Sequence, residues 1–182
     1  MLPSTAWQRY IASFCPYGIM ITVLISYYSR SGNTRAIARA IAKGASEVKG
    51  VKVRLKSARN TTLSDLKCAD AIVLGSPTYY GVMAAELKDL IDRSVAIHGS
   101  LEGKVGAAFT SSGGVASGAE TTLLSVIQAM LVHGMIVQGY PEGQHYGVAV
   151  VGDPRGASVK LCRDRGKRVA ELAIRLSGRQ HR

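Results

Sequence analysis

The chain has 182 residues, 47% of them hydrophobic, and a net charge of +11. That length suits one domain with its own core, and the composition excludes general disorder. No apolar run reaches the roughly 20 residues of a membrane helix, so no membrane insertion is expected, and three widely spaced cysteines (Cys15, Cys68, Cys162) without a C-x-x-C pair argue against a disulfide framework and against a zinc or iron–sulfur site.

Residues 1–19 do not read as a signal peptide, because Arg9 follows Trp7 and because Pro16 and Gly18 interrupt the apolar stretch. They read as an N-terminal extension: a loose tail or start-site artefact ahead of Met20, or a segment packing Trp7 and Phe14 on a neighbouring surface. Ile21–Tyr27 is apolar and β-branched, the pattern of a buried strand. Residues 34–49 place Ile37, Ala38, Ile41, Ala42, Ala45 and Val48 on one helical face, and Gly50 ends that helix. Val51–Ser57 alternates apolar residues with Lys52, Arg54 and Lys56, which suits an edge strand with one wet face. A short segment around 63–66 leads to a fully apolar strand, 71–75.

Leu87, Leu90, Ile91 and Val95 recur at helical spacing within 83–97. Residues 105–110 read as another buried strand. Ser117-x-x-Glu120 reads as a capping box opening a helix over 121–133, and 135–138 as a short strand. After a loop containing Gly and Pro, Ala157–Leu176 is the last helix. The alternation of strand and helix implies an α/β domain, residues 20–178, with a parallel sheet, right-handed crossovers and helices on both faces. Ligands in such sheets sit beyond the carboxyl ends of the strands. From Arg155 to Arg182 nine Lys/Arg face Asp164 and Glu171, a block of +7 that ends in a basic tail, 179–182. It reads as a solvated helix face, and with no aromatics interleaved nucleic-acid binding is not expected.

The first strand-to-helix loop, Ser29-Arg30-Ser31-Gly32-Asn33-Thr34, gathers three hydroxyls, a glycine and an amide at a helix N-terminus, a natural anion site. It has neither the Walker pattern for triphosphates nor the dinucleotide pattern G-x-G-x-x-G. Tyr27-Tyr28 with this loop, then Gly75-Ser76-Pro77-Thr78-Tyr79-Tyr80-Gly81-Val82-Met83, Gly103-Lys104-Val105, Phe109-Thr110-Ser111-Ser112-Gly113-Gly114, Glu120-Thr121-Thr122 and His133-Gly134-Met135-Ile136-Val137, run in one order along the chain. Together they resemble the WrbA family of flavodoxin-like NAD(P)H:quinone oxidoreductases.

The resemblance implies a three-layer sandwich with a five-stranded parallel sheet in the order 2-1-3-4-5 and FMN as cofactor. It implies that Ser29, Arg30, Ser31, Gly32, Asn33 and Thr34 hold the phosphate and that Pro77, Thr78, Tyr79, Tyr80 and Gly81 wrap the ring edge. Ser111, Ser112, Gly113 and Gly114 would touch the ring and ribityl chain. His133, otherwise a histidine favoured by a helix C-terminus, would be a donor near the flavin O2, and His98 would stand where the family has an aromatic at the quinone site. No side chain is expected to act as a nucleophile, because the flavin carries the chemistry. Electrons would pass from NADH or NADPH to a quinone or another small acceptor, in a cytoplasmic homodimer or homotetramer. Family members often carry an aromatic at the position of Ser31. Two alternatives stand beside this reading: a flavodoxin-type one-electron carrier, and a non-catalytic module binding through the basic C-terminal helix.

Overall fold

A computed structural model describes residues 20–177. The readings made for 1–19 and for the basic tail lie outside the described residues. The long parallel strands are β1 (Ile21–Tyr27), β2 (Val51–Ser57), β3 (Ala71–Tyr79) and β5 (Val105–Ser112), joined by α1 (Asn33–Ser46), α2 (Leu63–Cys68) and α3 (Ala85–Arg93). A two-residue strand β4 (Val82–Met83) folds back on β3. Then follow α4 (Ala119–Val132), β6 (Ile136–Val137), β7 (Val148–Val151) and α5 (Ala157–Leu176). The sheet runs β2-β1-β3-β5-β6, the expected flavodoxin-like order.

The fifth sheet position is split. β6 pairs with Val105 and Gly106 at the start of β5, whereas β7 pairs with Phe109 to Ser112 at its end. The first piece was expected from sequence and the second was not, so seven strands stand among the described residues where five were expected. Residues 83–97 are also not one helix: Met83 belongs to β4, α3 starts at Ala85, and a tighter 3-10 turn covers Ser94–Ile97.

Alternation along the central strands fills two cores. Val23, Ile25 and Val73 point to one face, where Ile37 and Ile41 of α1 and Cys162 and Ala170 of α5 meet them. Leu24, Ile72 and Leu74 point to the other, against Leu66 of α2, Leu87 and Leu90 of α3, and Leu123, Val126 and Met130 of α4. On the first face α1 and α5 cross with their backbones in contact. A Cβ added at Gly44 would strike the Arg163 carbonyl, and one at Gly166 the Ile41 carbonyl. Cys162 is a free thiol, pushed up to about 11 by burial; Cys68 is disulfide-bonded, where the cysteine spacing argued against a disulfide framework. Among the described residues no helix is long and apolar enough to cross a membrane.

Candidate active site

β1, β3 and β5 are neighbours, so their carboxyl ends bring three loops side by side where the strand order reverses. The first loop turns at Gly32, whose φ of +105° suits glycine alone. The Gly32 N–H donates to Ser29 Oγ at 3.1 Å, which closes the turn and leaves the serine's own hydrogen for a ligand. α1 then starts at Asn33 with no side-chain cap and no acid in its first turn. Its leading N–H groups and positive dipole end therefore stay open to an anion. The Arg35 guanidinium folds back toward this turn, 3.7 Å from where a Gly32 Cβ would stand. Arg30 and Ser31 are exposed on the loop, and Thr34 is buried.

Hydroxyl pairs lock the loops together. Thr34 Oγ1 and Ser111 Oγ lie 2.8 Å apart in a buried bond that ties the first loop to the third. Thr110 Oγ1 donates to the Ser76 carbonyl at 2.8 Å, so it accepts from Thr78 Oγ1 at 2.9 Å, joining the second loop to β5. Ser76 Oγ accepts from the Ala84 N–H at 2.7 Å and donates to the Pro77 carbonyl. Tyr80 (φ 51°) and Gly81 (φ 77°) form a two-residue hairpin turn between β3 and β4. That turn leaves Tyr80 fully exposed and Tyr79 partly so. Gly81 meets the backbone of Gly118, which brings the hairpin against the third loop.

In the third loop Ser112 Oγ and Ser117 Oγ both donate to the Gly114 carbonyl, at 2.9 and 2.6 Å. The capping box expected from Ser117 and Glu120 is therefore absent: Gly118 (φ 90°) caps α4 without a side-chain bond, because Ser117 is spent on the loop. A capping box does join Thr62 and Asp65 at the start of α2.

His133 and His98 are brought together, but elsewhere. Their ring centroids are 5.9 Å apart. His133 follows the last residue of α4, whose 14 residues carry it about 20 Å from the third loop toward the opposite end of the sheet. There the Gly134 carbonyl accepts from the Gly103 N–H, just before β5 begins. Ser94 Oγ donates to the Ile91 carbonyl at 2.6 Å, so it accepts from His133 Nε2–H at 2.8 Å. Nδ1 of His133 is buried without a partner, and burial, then the His98 charge, lower its pKa. Within one chain, then, neither histidine reaches the three loops.

Sequence reading missed Arg35 and the cluster of Tyr28, Glu86 and Arg59 beside the first two loops. A hydrogen bond to Glu86, with burial, raises the Tyr28 phenol, and Arg59 pairs with Glu86 at 3.4 Å. The signal for Arg35 was readable: a base in a first helical turn opposes the dipole unless an anion sits there.

The family model of NADPH-dependent FMN reductases matches residues 19–143. An NAD(P)H dehydrogenase (quinone) of Archaeoglobus fulgidus is 37% identical over 190 residues, covering 86% of this chain and 100% of its own. A flavodoxin of Aquifex aeolicus is 36% identical over 167 residues, covering 87% of this chain and 90% of its own. A solved WrbA-like flavodoxin from Agrobacterium tumefaciens shares the fold with a TM-score of 0.74 and 24% identity, covering 85% of this chain and 98% of that one. An open helix N-terminus flanked by two hydroxyl-linked loops, in a chain with these relatives, belongs to the NADPH-dependent FMN reductase family, whose flavodoxin-like members are FMN-dependent oxidoreductases.

Proposed function

We propose that the chain passes electrons from NAD(P)H to a quinone through FMN held across the three loops. The observation that carries this is the uncapped start of α1, with Gly32 at φ +105° and no acid in its first turn, in line with the other two loops. The phosphate takes the N–H groups of residues 31–34, the Ser29 hydroxyl and the Arg35 charge. Pro77 to Gly81 and Ser111 to Gly114 flank the ring, with Thr78 and the third-loop amides as polar contacts. Bound FMN supplies the redox chemistry, and the residues supply placement and electrostatics. Exposed Ser31 leaves open space where an aromatic would stand, so a nicotinamide and then a quinone reach the same face. The supply of NAD(P)H puts the reaction in the cytoplasm.

His133 and His98 join this site only in an assembly. They sit beside exposed Val95, Leu131, Val132 and Ile136, an apolar surface suited to a second copy of the chain. In that arrangement one copy's histidine pair faces the loops of another.

The test is turnover: purified protein with FMN oxidises NADH or NADPH when benzoquinone is added. A rate no higher than that of free FMN removes the reading. The flavodoxin of Aquifex aeolicus supports a second reading, a one-electron carrier. Two well-separated one-electron waves in a redox titration favour the carrier, and a single two-electron wave favours the reductase.

A further inference from the structure

Arg165 of α5 is only 6% exposed. Its Nη2 donates to the Gln144 carbonyl at 3.2 Å, while Nε and Nη1 are buried without any partner. Arg168, one helical turn on, donates to Gln138 Oε1 at 2.9 Å. Both guanidiniums lie over the ring of Tyr140. Among the described residues no carboxylate pairs with either arginine. Residues 1–19 and 178–182 contain no Asp or Glu.

A buried cation with unmade hydrogen bonds is costly, and a second cation beside it adds repulsion. The Tyr140 ring face offsets part of the charge but takes none of the orphaned N–H groups. Arg165 lines a cavity of about 40 Å³ together with Val105, Val137, Val169 and Leu172. That space suits one small ion or a few waters and excludes an organic acid of any length. Water would take the N–H groups and leave two adjacent charges uncompensated. An anion answers both needs.

We propose that this cavity, between α5 and residues 138–147, is a structural site for one small inorganic anion of chloride size, held by Arg165 with Arg168 beside it. The ion fastens to α5 the segment that separates β6 from β7. β7 in turn leads to Gly152, whose N–H donates to the Ser112 carbonyl in the third loop at 2.9 Å. The site is independent of the flavin reading, since none of its groups belongs to the three loops.

Bromide is the direct probe. Crystals of the full chain soaked in sodium bromide are expected to show an anomalous peak within hydrogen-bond reach of Arg165 Nε and Nη1. Exchange of gluconate for chloride at constant ionic strength is expected to raise the unfolding temperature of the native protein by several degrees. Arg165→Met, which keeps the length and loses the charge, is expected to lose that chloride dependence. Absence of the bromide peak overturns the proposal, as does equal chloride dependence in native protein and variant. Should Arg165→Met not fold, the bromide density in the native protein decides alone.

Discussion

Gly32 and Asp65 each concentrate a consequence that a sequence motif only hints at. A Cβ at φ +105° is strained by about 1–2 kcal/mol, and in Gly32→Ala that strain falls on the turn proposed to face the FMN phosphate. The variant is expected to fold and to bind FMN about tenfold more weakly in a fluorescence titration, the equivalent of about 1.4 kcal/mol. Asp65 is 4% exposed and receives Lys56 and Arg54, each at 2.5 Å, with the Thr62 N–H and hydroxyl. Burial raises its pKa, but the bonds from Lys56 and Thr62 and the Arg54 charge outweigh it, and the net shift is downward. A depressed folded pKa adds stability above the unfolded value, about pH 4, and that stability is lost as pH falls through the folded value. Asp65→Asn is therefore expected to cost roughly 2 kcal/mol in denaturant unfolding at neutral pH and progressively less below pH 4. The glycine turn into α1 was legible because its hydroxyls and glycine are local. The placement of His133 was not, because it depends on which end of the sheet a helix returns to.

At the scale of elements, β1, β3 and β5 were legible as apolar runs, since strands buried on both faces need no alternation. β7 escaped because four residues after Gly147 carry too little pattern, and its partner on β5 lies far back in the chain. Ser117 misled for a related reason. A capping box and a loop serine share one spelling, and the choice between them was made by the Gly114 carbonyl. The crossing of α1 and α5 gives the sharpest element-level prediction. Gly44→Ala or Gly166→Ala must push two backbones apart, a misfit of about 3 kcal/mol. Either is expected to lower the urea midpoint markedly, whereas Gly99→Ala, with nothing near its missing Cβ, is expected to act only through its own backbone angle.

Across the whole molecule, the fold was readable from the order of elements, while the assembly proposed above was not, because contacts between copies would leave only exposed apolar residues as their mark. α4 is apolar on most sides and ends in exposed Leu131 and Val132. Val132→Glu is expected to shift the mass seen by light scattering toward that of one chain. If the three loops hold FMN as proposed, ligand linkage reports on them together: FMN at about 100 times its Kd is expected to add about 2.7 kcal/mol of stability. An unfolding temperature unmoved by saturating FMN would contradict the site.

The contact between α1 and α5 also sets an order of events during synthesis. Ile37 and Ile41 emerge early, yet the helix that shields their side of the sheet, with Cys162 and Ala170, is translated more than a hundred residues later. Until then α1 alone covers that face of β1 and β3, and the side of α1 that meets α5 at Gly44 is bare. A ribosome that stalls before residue 157 therefore presents a sheet with one face only half covered, the kind of surface chaperones bind and aggregates grow from.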